Sequence, residues 1–337
     1  MTKIAINGMG RIGRAALKIA LDTPELKVVA VNDIVPLDNI AYLLKYDTAY
    51  GRFEKRVDTG DIELIIEGQS LSFLSEKDPA QLPWDELGVD IVLECTGIFT
   101  RREDLEKHRQ AGAHYVILSA PAKGDDVPTI VFGVNQPLED EHIISTASCT
   151  TNCITPVVEI MGRRIGIQDA VMTTIHAYTS SQAIVDSPSK KIRRGRAGAA
   201  NFVPTSTGAA IATTKVLPEY EGHFDGVAVR GPVPVGSISD MVFVTERNTT
   251  IDEVNGIFRE EAQTARYQGI LGTTDDPLVS SDIIGDSHAS LVDTGMTQVI
   301  NGHLVKIMSW YDNEWGYTSQ MVRTAVALTE RAEVLSA

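Results

Sequence analysis

The chain has 337 residues, room for about two domains of ordinary size. With 43% hydrophobic and 22% charged residues it can bury a large core, which excludes intrinsic disorder, and a net charge of −15 excludes a general nucleic-acid binder. No apolar run is long enough to cross a membrane, and three cysteines behind no secretory leader predict a reducing, cytoplasmic setting.

Lys3 to Asn7 reads as a buried strand. The run Gly8-Met9-Gly10-Arg11-Ile12-Gly13 follows as a glycine-rich turn. It opens a helix from Arg11 to Leu21, with Ile12, Ala16, Ile19 and Ala20 on one side. A second buried strand, Lys27 to Asn32, ends at Asp33. In this order of strand, G-x-G-x-x-G, helix, strand and carboxylate, the glycine motif predicts a dinucleotide site. Gly8 and Gly10 let the backbone approach a pyrophosphate, the helix start supplies N–H donors, and Asp33 accepts from ribose hydroxyls. Further short strands are predicted at Ile91 to Cys95, Tyr115 to Leu118, Thr129 to Val131 and Ile143 to Thr146, with a helix from Arg102 to Ala111. The alternation is that of a doubly wound α/β sheet.

Cys149 comes next, in Ala147-Ser148-Cys149-Thr150-Thr151-Asn152-Cys153. At a helix start its thiolate would be stabilised by free N–H groups and the positive end of the macrodipole. The competing reading is a buried cysteine at a turn. The following Ile154 to Ile160 is mostly apolar and could bury one helical face, a reading that Pro156 weakens because proline interrupts the hydrogen-bond ladder.

The second half changes character. Ala170 to His176, Gly226 to Arg230, Ser239 to Glu246 and Leu304 to Tyr311 read as longer strands, several alternating with period two. Helices are predicted from Thr207 to Leu217 and after Thr250, which forms a capping-box pattern with Glu253. This pattern fits an antiparallel sheet with one face on helices. From Asn313 the chain is again helical, with Met321, Val322, Ala325, Val326 and Leu328 apolar. His176 ends an apolar stretch and precedes a polar loop, so it is either a core histidine or a base at a strand end. Cysteine with a histidine base is an activated nucleophile. Ser148, Thr150, Thr179, Arg194, Thr207 and Arg230, with Gly208, have the chemistry of two anion sites. The cluster Lys190 to Arg196 stands out against the acidic background. Cys149 and Cys153 lack the second Cys/His pair of a structural zinc site, so no metal is expected.

These residues resemble the phosphorylating glyceraldehyde-3-phosphate dehydrogenase family over essentially the full chain. The matching motifs run from Ile6 to Arg14, Leu43 to Asp47, Ala147 to Cys153, His176 to Thr179 and Trp310 to Tyr317. The resemblance implies a Rossmann-type NAD-binding domain over 1–148, completed by a terminal helix over 313–337. It also implies an α+β catalytic domain over 149–312 with a mainly antiparallel sheet. It implies a homotetramer, working in the glycolytic or the biosynthetic direction, in which the loop from Tyr178 to about Asn201 lies near a neighbour's cofactor. The implied cofactor is NAD, with NADP as an alternative. The substrates are a small aldehyde phosphate and inorganic phosphate, with no nucleic acid or membrane partner. Cys149 would attack the aldehyde and His176 would assist. Thr179 and Arg230 would hold the substrate phosphate. Ser148, Thr150, Thr207 and Gly208 would line the attacking-phosphate site, with Arg194 near both. Gly8, Gly10, Arg11, Ile12, Gly13, Asp33, Lys77 and Ser119 would lie at the cofactor, and Asn313 would bind the nicotinamide carboxamide.

The chain departs from the family pattern at Met9, usually phenylalanine, at Ser180-Ser181, usually asparagine and aspartate, and at Ser187, usually leucine in NAD-specific members. Gly231 and Gly236 fall in a segment usually poorer in glycine. Erythrose-4-phosphate dehydrogenases share the cysteine chemistry but lack the Tyr-Thr pair after the histidine, so Tyr178-Thr179 favours the triose. A non-catalytic NAD-sensing or scaffold protein would need the glycines and Asp33 but not Cys149, His176 and Arg230 together.

Overall fold

The computed structural model describes residues 1–336, with side chains to 329. The chain divides into two units, one built from residues 1–132, 136–147 and the stretch from Met321 on, the other from 133–135 and 148–320. Among the described residues no helix is long and apolar enough to cross a membrane.

In the first unit the chain runs β1 (Thr2–Asn7), α1 (Arg11–Ala20), β2 (Leu26–Asn32) and α2 (Leu37–Lys45). A small ribbon, β3 (Tyr46–Asp47) and β4 (Gly51–Arg52), precedes β5 (Val57–Thr59), β6 (Glu63–Ile66) and β7 (Gln69–Leu74). Then come α3 (Trp84–Leu87), β8 (Ile91–Glu94), α4 (Arg102–Gln110), β9 (Tyr115–Leu118) and β10 (Ile143–Ser145). The main sheet has the order β10-β9-β8-β1-β2-β7-β6-β5. It is parallel from β10 to β7 and antiparallel across β7-β6-β5. Ile4, Ala5 and Ile6 are all fully buried, as a central parallel strand covered on both faces requires. Ile4 and Ile6 pack with α1, α2 and, from α8 (Trp315–Ser336), Met321, Val322, Ala325 and Leu328. Ala5 faces the other way, toward Trp84, Val89 and Val92. Because β1 has β2 on one side and β8 on the other, the chain reverses its winding there. The carboxyl ends of those strands are where such sheets bind ligands.

Thr129 to Val131 is not a strand: only Thr129 bridges to Ser145, and Pro128 has no N–H to extend the ladder. The antiparallel β5–β7 extension has only a weak signal in the sequence. Its turn, Glu67-Gly68, has φ of 50° and 79° and so suits a two-residue hairpin, without the usual Asn-Gly signal.

The second unit holds α5 (Cys149–Arg164), β11 (Ile167–Ala177), β12 (Val203–Ser206), α6 (Ala209–Val216), β13 (Phe224–Gly231) and β14 (Ser237–Thr245). These are followed by α7 (Ile251–Ala262), β15 (Leu271–Thr274), β16 (Ser290–Ile300), β17 (Leu304–Tyr311) and the start of α8. The sheet order is β12-β13-β11-β14-β17-β16-β15. Most pairs are antiparallel, but β11–β13 and β15–β16 are parallel, which makes the sheet mixed. Helices α5, α6 and α7 pack against its strands. Val171 and Val227 on neighbouring strands are more than half exposed.

Pro156 does not end α5. It removes the bond that would reach the Asn152 carbonyl. The continuous burial from Thr150 to Val158, resumed at Ile160 and Met161, outweighs that loss. The capping box at α7 is half formed. Thr250 accepts from the Glu253 N–H, but the Glu253 carboxylate accepts from Arg247 and Thr249 instead of returning to Thr250. The terminal helix starts at Trp315, not Asn313, because Asp312 accepts from the Glu314 and Trp315 N–H groups and caps it. The expected final helical residue, Ala337, lies outside the described residues.

Candidate active site

In the second unit, Cys149 is the first residue of α5, and Ser148 is the cap, its Oγ accepting from the Thr151 N–H at 3.2 Å. Ala147, just before, has φ of 59°, a left-handed conformation that swings the chain sharply into the helix. His176 lies near the end of β11, in register with Arg230 on β13. Its Nε2 is 3.3 Å from Cys149 Sγ. Its Nδ1 is 2.7 Å from the Ala177 carbonyl oxygen and 2.7 Å from Arg230 Nη1, which also donates to that carbonyl at 3.0 Å. The two neighbours ask for opposite tautomers. A guanidinium only donates, so with Nδ1 bare the proton sits on Nε2 and faces sulfur. With Nδ1 protonated and donating to Ala177, Nε2 is free to take the thiol proton.

Burial opposes charge on each group alone. It pushes the Cys149 thiol up, against the pull of Arg230 and Thr150. Burial first and the Arg230 charge second push the His176 imidazole down to about 3. A proton passed from Sγ to Nε2 creates both charges together, and their attraction at such a separation is roughly 5 kcal/mol at an effective dielectric of 20. The pair therefore ionises jointly more easily than either member singly. Arg230 is itself part-buried. Its Nε has no partner, and among the described residues no carboxylate pairs with it.

Around this centre, Thr179 Oγ1 lies 2.8 Å from Ser181 Oγ, and Arg194 reaches Thr205 Oγ1 at 3.0 Å and Ser181 Oγ at 3.5 Å. Ser181, one of the departures from the family pattern, thus joins the predicted anion residues. Thr207 accepts from the Ala209 N–H at 3.2 Å, and Gly208, the cap of α6, has open space on its Cβ side. Thr150 Oγ1 lies 2.9 Å from Tyr311 OH, which is 2.7 Å from Thr174 Oγ1. The Tyr311 ring meets His176 edge-on, with centroids 5.9 Å apart. Asn313 Oδ1 accepts from the Gly236 N–H at 3.1 Å and from Ser237 Oγ at 2.9 Å, so its NH2 is the group left to donate to a ligand carbonyl. Cys153, one turn beyond Cys149, is fully buried and about 3.9 Å from Ser290 Oγ; burial pushes its thiol up to about 12. It is a packing residue.

In the first unit, Gly8 has φ of +94°, and a Cβ there would lie 2.7 Å from the Thr96 nitrogen; one on Gly13 would lie 1.9 Å from the Gly8 oxygen. Gly10 has nothing within 4 Å of its Cβ position. The motif therefore closes on itself at two glycines and is open at the third, as a backbone cradle for a phosphate needs. Asp33 Oδ2 accepts from the Met9 N–H at 2.6 Å, which ties the carboxylate to the glycine turn. Arg11 pairs with Asp47 and lies over the Tyr50 ring, and Ile12 packs against the core. Ser119 follows β9, its N–H bonded to the Glu94 carbonyl at 3.0 Å. Lys77 is exposed, and its side chain makes no ion pair with Asp33.

Sequence reasoning missed Tyr311 and Ser237. Tyr311 sits two residues before Asn313 at the end of an alternating strand, the one signal that it points inward.

Comparison with known proteins agrees with both halves. Residues 2–102 match the model of the glyceraldehyde 3-phosphate dehydrogenase NAD binding domain, and 148–313 match that of its C-terminal domain. The glyceraldehyde-3-phosphate dehydrogenase of Streptomyces coelicolor is 48% identical across 96% of this chain and 97% of its own. Those of Geobacillus stearothermophilus and Zymomonas mobilis are 46% and 45% identical, covering 98% and 97% of this chain and 98% of each relative. The chain belongs to the glyceraldehyde 3-phosphate dehydrogenase family.

Proposed function

We propose that this chain oxidises D-glyceraldehyde 3-phosphate, with NAD and inorganic phosphate, to 1,3-bisphosphoglycerate. The observation that carries the reading is the Cys149 sulfur 3.3 Å from His176 Nε2, beside a guanidinium that no carboxylate of the described residues pairs with. His176 takes the thiol proton as Sγ bonds to the aldehyde carbon, and the resulting imidazolium stabilises the new oxyanion. Hydride leaves that carbon as the carbonyl re-forms, giving a Cys149 thioester. NAD, when bound, accepts the hydride. A phosphate oxygen then attacks the thioester carbon, and Sγ departs as the thiolate.

Thr179 and Arg230 hold the substrate phosphate. Ser148, Thr150, Thr207 and Gly208 serve the attacking phosphate, with Arg194 close to both. Gly8, Gly10, Arg11, Ile12 and Gly13 receive the pyrophosphate, while Asp33, Lys77 and Ser119 serve the rest of the dinucleotide. The open Gly10 cradle and the outward NH2 of Asn313 fit NAD. The exposed Val171 and Val227 on the sheet, and Ile184, Val185 and Ile192 on the loop, support a homotetramer. The setting we assign is glycolysis in the cytoplasm.

The test crosses glyceraldehyde 3-phosphate and erythrose 4-phosphate with NAD and NADP, with and without inorganic phosphate, on the purified chain. NADH formation that prefers the triose and requires phosphate is expected. Preference for the tetrose, or rates indifferent to phosphate, would overturn the assignment. Light scattering of the same sample is expected to give four copies per particle.

A further inference from the structure

Three neighbouring parallel strands end in polar residues that face one another. Asn7 ends β1, Asn32 ends β2 and Glu94 ends β8, with Asn7 in register with both others. All three are buried, Glu94 completely. Their side chains are hydrogen-bonded in a row: Asn32 Nδ2 donates to Asn7 Oδ1 at 2.7 Å, and Asn7 Nδ2 donates to Glu94 Oε2 at 2.6 Å. Beyond Glu94 the row continues through His108 Nε2 at 3.1 Å to Trp84 Nε1, which donates to His108 Nδ1 at 3.0 Å. The proposed mechanism uses none of these five residues.

The direction of the row is fixed from both ends. Asn32 is held by the Glu76 backbone, its Oδ1 accepting from the N–H at 2.9 Å and its Nδ2 donating to the carbonyl at 2.9 Å, so its amide cannot flip. Asn7 must then present oxygen to Asn32 and nitrogen to Glu94. From the other end, an indole N–H only donates, so His108 Nδ1 is bare and the Nε2 hydrogen points at Glu94. The other Glu94 oxygen accepts from the Thr96 N–H at 2.8 Å and from the Thr96 hydroxyl. Every neighbour of this carboxylate is therefore a donor.

We infer that Glu94 is a positioning residue, the acceptor on which this ladder sets the three strand ends that carry the dinucleotide site. Asn7 leads into Gly8 and Asn32 into Asp33, while Glu94 leads into Cys95 and Thr96, whose backbone lies against Gly8. Gly8 leaves no room for even a Cβ against Thr96, so a shift of Thr96 toward it displaces the glycine turn. The inference rests on the NAD reading above and says which buried groups give that site its shape.

The test is Glu94→Gln, nearly identical in size but with an amide that sets two hydrogens against donors. The measurements are NAD affinity by calorimetry and the iodoacetamide rate at Cys149 without NAD. Glu94→Gln is expected to weaken NAD binding about tenfold or more, because the donors it repels displace the strand ends that shape the site, with the NAD-free alkylation rate unchanged. Asn7→Ala removes one rung whose side chain is too buried to touch a ligand; the same loss of affinity is expected. A folded Glu94→Gln that binds NAD within twofold of wild type overturns the inference. If that variant does not fold, Asn7→Ala decides alone, and unaltered NAD affinity overturns it. Wild-type protein that fails to bind NAD overturns instead the reading on which the inference rests.

Discussion

The Asn32–Asn7–Glu94–His108–Trp84 ladder is a buried polar cluster and the Cys149–His176–Arg230 group a part-buried one, and they end differently. In the first, Glu94 meets four donors and each amide is fixed by a neighbour. In the second, the Arg230 Nε has no partner and His176 Nδ1 faces a donor and an acceptor that demand different tautomers. A satisfied network holds one geometry. An unsatisfied one costs stability until a ligand completes it, and that is what an anion site with moving protons requires. The difference separates scaffold from chemistry more sharply than burial does.

The largest effect is expected at the sulfur. Cys149→Ser should abolish oxidation and leave NAD binding and the fold intact, because a hydroxyl does not supply the nucleophile that a thiolate does. Substantial turnover in that variant would remove the covalent mechanism. Cys153→Ala should keep most activity, since its buried thiol packs among serines; a loss like that of Cys149→Ser would contradict the packing role.

Next comes the proton acceptor. His176→Asn is expected to lower turnover by roughly 10²–10⁴-fold, with a smaller effect on KM. The pH dependence follows from the directions of the shifts. Burial raises the Cys149 thiol, so without a partner to take its proton the sulfur becomes reactive only at higher pH. Wild-type alkylation should show a component at lower pH that His176→Asn lacks. Identical profiles would mean that the two residues, 3.3 Å apart, are not coupled.

The comparison itself is tested by a pair of variants. Arg230→Met keeps the volume of the stem and removes the charge. It should cut kcat/KM for the phosphorylated aldehyde by roughly 10²-fold, and far less for unphosphorylated glyceraldehyde. Its unfolding temperature should be unchanged or higher, because a part-buried charge that no carboxylate of the described residues offsets has been removed. His108→Ala should do the reverse to stability. It leaves the Trp84 N–H without an acceptor and takes a donor from Glu94, at roughly 2–5 kcal/mol in all. Equal shifts in unfolding temperature would erase the distinction between the two clusters.

The parts of the molecule legible in the sequence are those whose partners lie close in the chain. Gly8, Gly10, Gly13 and Asp33 fall within one strand–helix–strand unit, and the Cys149 run marks its own helix start. His176 and Arg230 were legible as residue types at strand ends, but their meeting depends on the parallel pairing of β11 with β13. The ladder was invisible: Asn7 and His108 are 101 residues apart, and a buried glutamate reads like any surface acid. Pro156 shows the limit of a local rule, since a helix buried along most of its length absorbs one missing bond. Gly236, at φ of +91°, read only as a loosened segment, whereas its N–H helps to hold Asn313.

The smallest expected effect is on cofactor choice, and it bears on how rigid the ladder end of the molecule is. Asp33 follows Asn32 directly. Its Oδ2 accepts from the Met9 N–H at 2.6 Å and its Oδ1 from the Val35 N–H at 2.9 Å. Rotating the carboxylate away would leave both donors unmatched, so it stays beside the glycine turn, where the proposed cofactor ribose would meet it. A 2′-phosphate would bring negative charge against it, and like charges in contact are costly. NAD should therefore be preferred over NADP by about tenfold or more in kcat/KM. Asp33→Ala should narrow that ratio by a similar factor. Lys77→Ala should move it much less, because the exposed Lys77 amine makes no ion pair with Asp33. Wild-type protein that uses both cofactors equally, or an Asp33→Ala ratio like that of wild type, would show that the pinned carboxylate does not select the cofactor. Asp33 would then serve only to tie the glycine turn to β2.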